Sequence, residues 1–96
     1  MTDDRVAAID ALLSRAAEAH HVFEETELHG VFDRDWPAWY AAYAIEHGIG
    51  ALVGRPPNAE DLARFLAESN AAFEAADPKP TDGWAAFTAR RIAADL

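Results

Sequence analysis

The sequence predicts an all-α domain whose four main helices form two antiparallel αα-hairpins, packed as a compact helical bundle. Three observations support this prediction: apolar residues recur at helical spacing in four segments, alanine is the most frequent residue, and glycines and prolines separate the segments. The 96 residues make a single domain, with hairpin one at about 3–47, a connector at about 48–57 and hairpin two at about 58–96.

The first helix is predicted over residues 3–28 from a single apolar seam. The steps along this seam alternate between three and four residues, the spacing that keeps side chains on one helix face. The seam consists of Val6, Ile9, Leu13, Ala16, His20 and Phe23. Thr2 has a hydroxyl suited to an N-cap, and Asp3 and Asp4 follow in the first turn, where acids favour the helix dipole. His20 is therefore expected on the buried face.

Residues 29–35 are predicted to form the loop of hairpin one. Gly30 suits the C-terminal end of a helix, because glycine readily adopts the left-handed conformation found there. The apolar Val31 and Phe32 are expected to tuck under the loop as a small satellite of the core.

The second helix is predicted over residues 36–47 and ends at Gly48. Asp33 and Asp35 are both able to cap it. Asp35 is preferred because Pro37 then falls in the first turn, where proline lacks only a donor that the helix does not need.

The second half of the chain is predicted to repeat the helix–loop–helix arrangement. The apolar Ile49–Val53 segment, flanked by glycines, precedes it as a short helical turn or a packed connector. Asn58 is a good N-cap, and acids follow it in the first turn. The bounds are Asn58 to about Ala76 for the third helix, and Thr81 or Asp82 to about Leu96 for the fourth.

Two pairs of segments suggest that the halves arose by internal duplication. Ala17–Glu24 overlays Ala67–Glu74 when shifted by 50 residues, and Trp36–Ala41 overlays Trp84–Ala89 when shifted by 48. Each half thus has a helix ending near a Phe-Glu pair, a loop, and a helix led by aromatic residues. Two such units are too few for a solenoid and fit two packed αα-hairpins.

Composition limits the classes of partner and chemistry. The absence of cysteine excludes thiolate metal sites, disulfides and cysteine nucleophiles, and is compatible with the cytoplasm, where we expect the protein. No apolar run is long enough for a membrane span, and no secretory signal is recognised. The net charge of −9 argues against binding to nucleic acid and to anionic membranes.

The negative charge is concentrated in the first half of the chain. Residues 1–48 carry ten acidic residues and three arginines, whereas residues 49–96 carry seven acidic and five basic residues. A solvated surface is the simplest interpretation. Imitation of nucleic acid, in order to occupy a basic groove on a partner, is an alternative.

An aromatic stripe on the second helix is the most distinctive feature of the sequence. Trp36, Trp39, Tyr40 and Tyr43 fall at positions i, i+3, i+4 and i+7, which lie on one helix face. They are interpreted as core and rim, with a surface for a ligand or partner, extended by His47, as the alternative. Such a site is expected where their polar ends meet the end of the first helix.

A second candidate site consists of histidines and carboxylates on the first helix. Their spacings of three and four residues allow two side chains to chelate one divalent ion. The candidate ligands are Glu18, His20, His21 and Glu24. The alternatives are a core histidine satisfied by a carboxylate or carbonyl at His20, and simple exposure at His21. The second half has Asn70 and Ala71 where matching histidines would stand, so the pattern of a di-iron bundle is incomplete.

No motif predicts catalysis. The serines do not lie on a strand-to-helix elbow, and neither a phosphate-binding glycine loop nor an EF-hand is present. No catalytic residue and no cofactor is therefore predicted, apart from the divalent ion of the metal hypothesis. The sequence predicts a non-enzymatic binding module that engages a protein partner or another copy of itself as a dimer, with a metal- or small-ligand-binding bundle as the alternative.

Overall fold

The computed structural model describes residues 2–96, with side chains from Asp4 onward, and confirms the all-α class. Five helices form a compact bundle, and this described part contains no β-strand. The helices are α1 (Thr2–Thr26), α2 (Trp36–Glu46), α3 (Ile49–Val53), α4 (Ala59–Ala75) and α5 (Gly83–Asp95). Within residues 2–96, no helix combines the length and the apolar character needed to cross a membrane.

The largest helix contacts join the two halves of the chain. α1 packs most extensively against α5, and α2 packs most extensively against α4. The neighbours along the chain, α1 with α2 and α4 with α5, also pack together but less extensively. The two hairpins are therefore not separate units, because each completes its apolar contacts on the other.

One hydrophobic core receives side chains from all five helices. The predicted seam of α1 is mostly buried, with Ile9 and Leu13 fully covered and Val6 and Phe23 partly exposed. Because burial of a Leu or Ile side chain contributes about 1.5–3 kcal/mol, this cluster dominates the stability of so small a domain. Its members are Ile9, Leu12, Leu13, Ala41, Ala44, Ile49, Val53, Leu62, Leu66, Ala89 and Ile92.

The connector between the halves contains the short helix α3. Its Ile49 and Val53 are buried in the core, so the segment is both a short helical turn and a packed connector. Gly48 and Gly54 bound it with φ values of +97° and +85°, a left-handed conformation that side chains disfavour. These glycines allow the chain to turn sharply into and out of α3.

α1 ends at Thr26, two residues before the predicted end at 28. His29 and Gly30 then adopt left-handed conformations with φ of +53° and +82°. The Gly30 N–H donates to the carbonyl of Glu24 at 2.8 Å, which closes the helix end. The predicted roles of Thr2 and Asp3 concern side chains that lie outside the described residues.

The residues predicted to cap α2 and α4 differ in whether their side chains form capping hydrogen bonds. The Asn58 side chain accepts hydrogen bonds from the N–H groups of Glu60 and Asp61 at 2.9 and 3.1 Å, as an N-cap does. Asp35 precedes α2 as predicted, but its side chain makes no capping hydrogen bond. Asp33 instead accepts a hydrogen bond from the Asp35 N–H at 2.9 Å.

The prediction that Val31 and Phe32 are tucked under the loop is wrong. Their residues are 65% and 69% exposed, respectively. The carboxylate of Asp33, whose side chain is only 12% exposed, turns inward to reach His20. Because that polar contact takes the inward-facing position of the loop, the two apolar side chains face outward.

Residues that match in the sequence repeat occupy matching places in the two halves. Phe23 packs on Trp39 with ring centroids 5.7 Å apart, and Phe73 packs on Phe87 at 5.5 Å. Trp36 near the start of α2 and Trp84 near the start of α5 contact each other, with ring centroids 5.9 Å apart. This correspondence is compatible with internal duplication, which stays a prediction.

Candidate functional site

A cleft lies where the end of α1, the loop before α2, and the helices α2, α4 and α5 meet. Its volume is about 370 Å³, which falls in the range of ligand-sized pockets. The lining residues are His20, Glu24, Phe32, Trp36, Tyr40, Asn70 and Trp84. Phe32 is largely exposed and therefore forms part of the rim, whereas His20 is only 6% exposed and lies at the inner wall.

His20 is held between two carboxylates. Its Nε2 donates a hydrogen bond to Oδ2 of Asp33 at 2.9 Å, and its Nδ1 lies 3.8 Å from Oε1 of Glu24. Glu24 in turn accepts a hydrogen bond through Oε2 from the Asp33 N–H at 3.0 Å. The three side chains therefore link α1 to the loop, and they fix the orientation of the imidazole ring.

Aromatic rings cover the other faces of this imidazole. The ring of Trp39 meets it edge-on with centroids 4.9 Å apart, and the rings of Tyr40 and Phe23 lie at 5.1 and 6.0 Å. A buried polar side chain is costly unless it is hydrogen-bonded. The contact with Asp33 meets that requirement, so the aromatic packing and the polar contact support each other.

Three rings form what we call the aromatic corner: Trp36, Tyr40 and Trp84. Their centroids lie 5.4–5.9 Å apart, and each pair of ring planes meets at 82–87°. These are edge-to-face contacts, the favourable geometry for aromatic pairs. Among the described residues, no acceptor reaches the buried Nε1 of Trp84. The corner provides most of the apolar wall of the cleft.

The environment of Tyr40 favours its neutral phenol. Burial, and after it the negative charge of Glu24, raise the pKa of the Tyr40 hydroxyl above its usual value. Glu24 thus places a negative potential beside the aromatic corner.

The predicted aromatic surface divides between two places. Trp36 and Tyr40 line the cleft, whereas Trp39, Tyr43 and His47 stack in a column along α2. Trp39 and Tyr43 are nearly parallel at 5.5 Å, and the rings of Tyr43 and His47 stack at 3.9 Å. The exposed His47 also donates from Nδ1 to the carbonyl of Tyr43 at 2.9 Å. This column belongs to the packing of α2 and lies outside the cleft.

The four predicted metal ligands do not converge. Glu18 and His21 are exposed, and His21 pairs with the neighbouring Glu25 at 3.0 Å. The two nitrogens of His20 face different carboxylates, so these groups surround the ring and share no common point for an ion. Among the side chains that the structure describes, from Asp4 onward, no group of three or more His, Asp or Glu is placed to hold a metal ion.

Sequence reasoning did not name Asn70 or Trp84 as site residues; it included Phe32 and Asp33 only as part of the acidic loop 24–35, with Phe32 expected in the core and Asp33 as a possible cap. The repeat contains a signal for two of them, because Asn70 and Trp84 are the counterparts of His20 and Trp36. In a twofold arrangement, equivalent positions near the axis come together, as the two tryptophans do. Phe32 and Asp33 belong to an irregular loop, in which sequence periodicity does not indicate which side chains point inward.

His20 is a buried side chain with one hydrogen-bonded ring nitrogen. A His–Asp pair is familiar from acid–base catalysis, where the second ring nitrogen remains free to exchange a proton with the substrate. Here Nε2 donates to Asp33, and Nδ1 lies 3.8 Å from Oε1 of Glu24, too far for a hydrogen bond, in a residue that is only 6% exposed. Comparisons with protein-family models, with curated proteins and with solved structures find no match for this chain.

Proposed function

We propose that this protein is a non-enzymatic binding module that engages a partner protein through the cleft and the apolar loop residues beside it. The observation that carries the proposal is the exposure of Val31 and Phe32 at 65% and 69%. Phe32 also lines the cleft, so the apolar rim and the aromatic corner form one continuous surface. Aromatic side chains next to a concave pocket are typical of the energetic centres of interfaces.

Charge narrows the choice of partner. A net charge of −9 disfavours nucleic acid and anionic membranes, because both repel a negatively charged surface. A protein partner in the cytoplasm is compatible with this charge and with the absence of cysteine. A second copy of the chain is another protein that could cover the same rim, which makes homodimerisation a special case of the proposal.

Selection of a random peptide library against the full chain tests the proposal directly. We expect selected peptides to bind the wild-type chain and to lose at least tenfold in affinity on Phe32→Ser. Val22→Ser is the matched control, since Val22 is also an exposed apolar residue, at 57%, but does not line the cleft. Failure to select any peptide, or equal losses for both variants, would contradict the proposal. Sedimentation of the same variants shows whether a dimer uses Phe32.

A small-ligand bundle is the alternative, favoured by the size of the cleft, which suits a small molecule. Melting curves with and without a chelator, and with a set of divalent ions, test its metal-binding form, because a ligand that binds the folded state raises the melting temperature. A rise with one ion, reversed by the chelator, would favour this alternative over the binding module.

A further inference from the structure

We propose that the cleft receives a lysine side chain from a basic segment of the partner protein, with the ammonium group over the aromatic corner and against the Glu24 carboxylate. This inference rests on the proposed function and specifies the chemistry of the partner at the same site. Its support comes from the charge of the cleft, from the arrangement of its rings and from the one carboxylate oxygen that remains available.

The cleft carries a net negative charge that no basic residue of the wall neutralises. Its seven lining residues include Glu24 but neither lysine nor arginine. Behind them lies Asp33, so the two carboxylates exceed the charge of His20 even when that imidazole is protonated. A cationic group entering the cleft would therefore meet an attractive potential, and a carboxylate group would be repelled.

The rings that line the cleft can attract a cation as well as contact an apolar group. The negative face of an aromatic ring attracts a cation, and tryptophan does so most strongly. The aromatic corner places two indoles and one phenol at nearly right angles, with centroids 5.4–5.9 Å apart. Phe32 at the rim can cover the apolar stem of a long side chain while the charged end reaches inward.

The hydrogen bonds of Glu24 favour lysine over arginine. Its Oε2 already accepts the Asp33 N–H at 3.0 Å. Its Oε1 lies 3.8 Å from His20 Nδ1, and accepts no hydrogen bond among the described residues. A guanidinium group binds a carboxylate best through two oxygens at once, whereas a compact ammonium group needs only one. The single available oxygen therefore matches an ammonium donor.

The chain offers a matched pair of charge variants. Glu24→Gln removes the charge at the cleft but retains an amide oxygen for the Asp33 N–H. Glu74→Gln removes the same charge at the equivalent position of the repeat, where Glu74 pairs with Lys79 at 2.9 Å on the surface. A lysine-containing peptide selected from the random library should bind Glu24→Gln about tenfold more weakly and Glu74→Gln within about twofold of wild type.

The peptide and the solvent supply two further readouts. Replacement of the peptide lysine by norleucine should cost about tenfold for the wild-type chain and clearly less for Glu24→Gln, because the attraction of the Glu24 carboxylate is then already absent and only that of the rings remains. Affinity should fall more steeply with added salt for the lysine peptide than for its norleucine variant. Unfolding curves of the three proteins establish that each variant is folded before its binding is compared.

The outcomes separate this inference from the proposed function. Selected peptides that lack lysine, or that bind Glu24→Gln as well as wild type, overturn the lysine pocket and leave the binding module standing. Failure to select any peptide overturns both. Titration of the protein with n-butylammonium, with n-butanol as the neutral control, shows whether the site prefers a lysine within a peptide or a free amine. If free n-butylammonium binds as tightly as the selected peptide, the site belongs to a free amine and the peptide segment is refuted.

Discussion

The imidazole of His20 and the carboxylate of Asp33 are joined by a hydrogen bond of 2.9 Å that connects α1 to the loop before α2. Asp33 also receives the backbone N–H of Asp35 at 2.9 Å and donates its own N–H to Glu24 at 3.0 Å. One loop residue thus satisfies a buried histidine, organises the entry to α2 and sets the position of the Glu24 carboxylate. The loop that forms the rim of the cleft is held mainly by this residue.

Asp33→Ala should lower the free energy of unfolding by about 1–3 kcal/mol, because it leaves the buried His20 without its hydrogen-bond partner. Urea unfolding measures this loss, and faster hydrogen exchange of the loop amides would accompany it. Asp35→Ala is the control and should cost less than about 1 kcal/mol, since the exposed Asp35 contributes only its charge near the start of α2. Equal costs for the two variants would show that the contact with His20 contributes nothing specific.

The buried hydroxyls of Ser69 and Thr88 form a second polar contact, between α4 and α5, at 2.7 Å. Thr88→Val should destabilise the protein by about 1–3 kcal/mol, because the fully buried Ser69 hydroxyl then has no partner. Adding Ser69→Ala should recover part of the loss, since both polar groups are then absent. A double-mutant cycle by thermal or urea unfolding measures the coupling. Strict additivity of the two single changes would contradict the contact.

Tyr40 should make the protein less stable at alkaline pH. Burial and the charge of Glu24 raise its pKa in the folded state, so the phenolate forms more readily in the unfolded chain. The stability that this pKa difference contributes is complete below the ordinary tyrosine pKa of about 10. It is lost as pH rises through the pKa of Tyr40 in the folded state. Tyr40→Phe should flatten the pH dependence of unfolding in this window, and tyrosinate absorbance should show the late titration. An unchanged pH profile would contradict this assignment.

The ion pair of Asp82 and Arg90 should make the stability of the protein depend on pH in the acidic range. The hydrogen bond from Arg90 to this carboxylate lowers the pKa of Asp82. Its contribution to stability is therefore present above the ordinary pKa of about 4 and is lost as pH falls through the folded-state value. Asp82→Asn should lie below wild type in stability at neutral pH and converge with it in acid. Because both groups are exposed, the difference should be small and should shrink with added salt. A difference that persists in strong acid would have another cause.

The sequence was sufficient to predict the helices because their apolar seams are strongly periodic. The seam of α1 correctly indicated that Ile9, Leu13 and His20 are buried. Asn58 likewise combined a capping side chain with acids in the first turn, and the structure contains that cap. Such features depend on residues a few positions apart, and the sequence displays them directly.

Features that depend on contacts between distant segments were harder to predict. The extensive packing of α1 on α5 follows from how the hairpins join, which no local pattern encodes. The outward direction of Phe32 depends on the inward contact of Asp33 with His20, thirteen residues away. The cleft itself combines residues from both halves, so its two indoles could be brought together only by the fold.

The packing of α1 against α5 also affects how this protein folds during its synthesis. These helices lie at opposite ends of the described chain, and contacts between distant residues slow folding. The part of the α1 seam that packs on α5 must therefore remain uncovered until α5 has emerged from the ribosome. During that interval the first half exposes surface on which chaperones can bind or chains can aggregate.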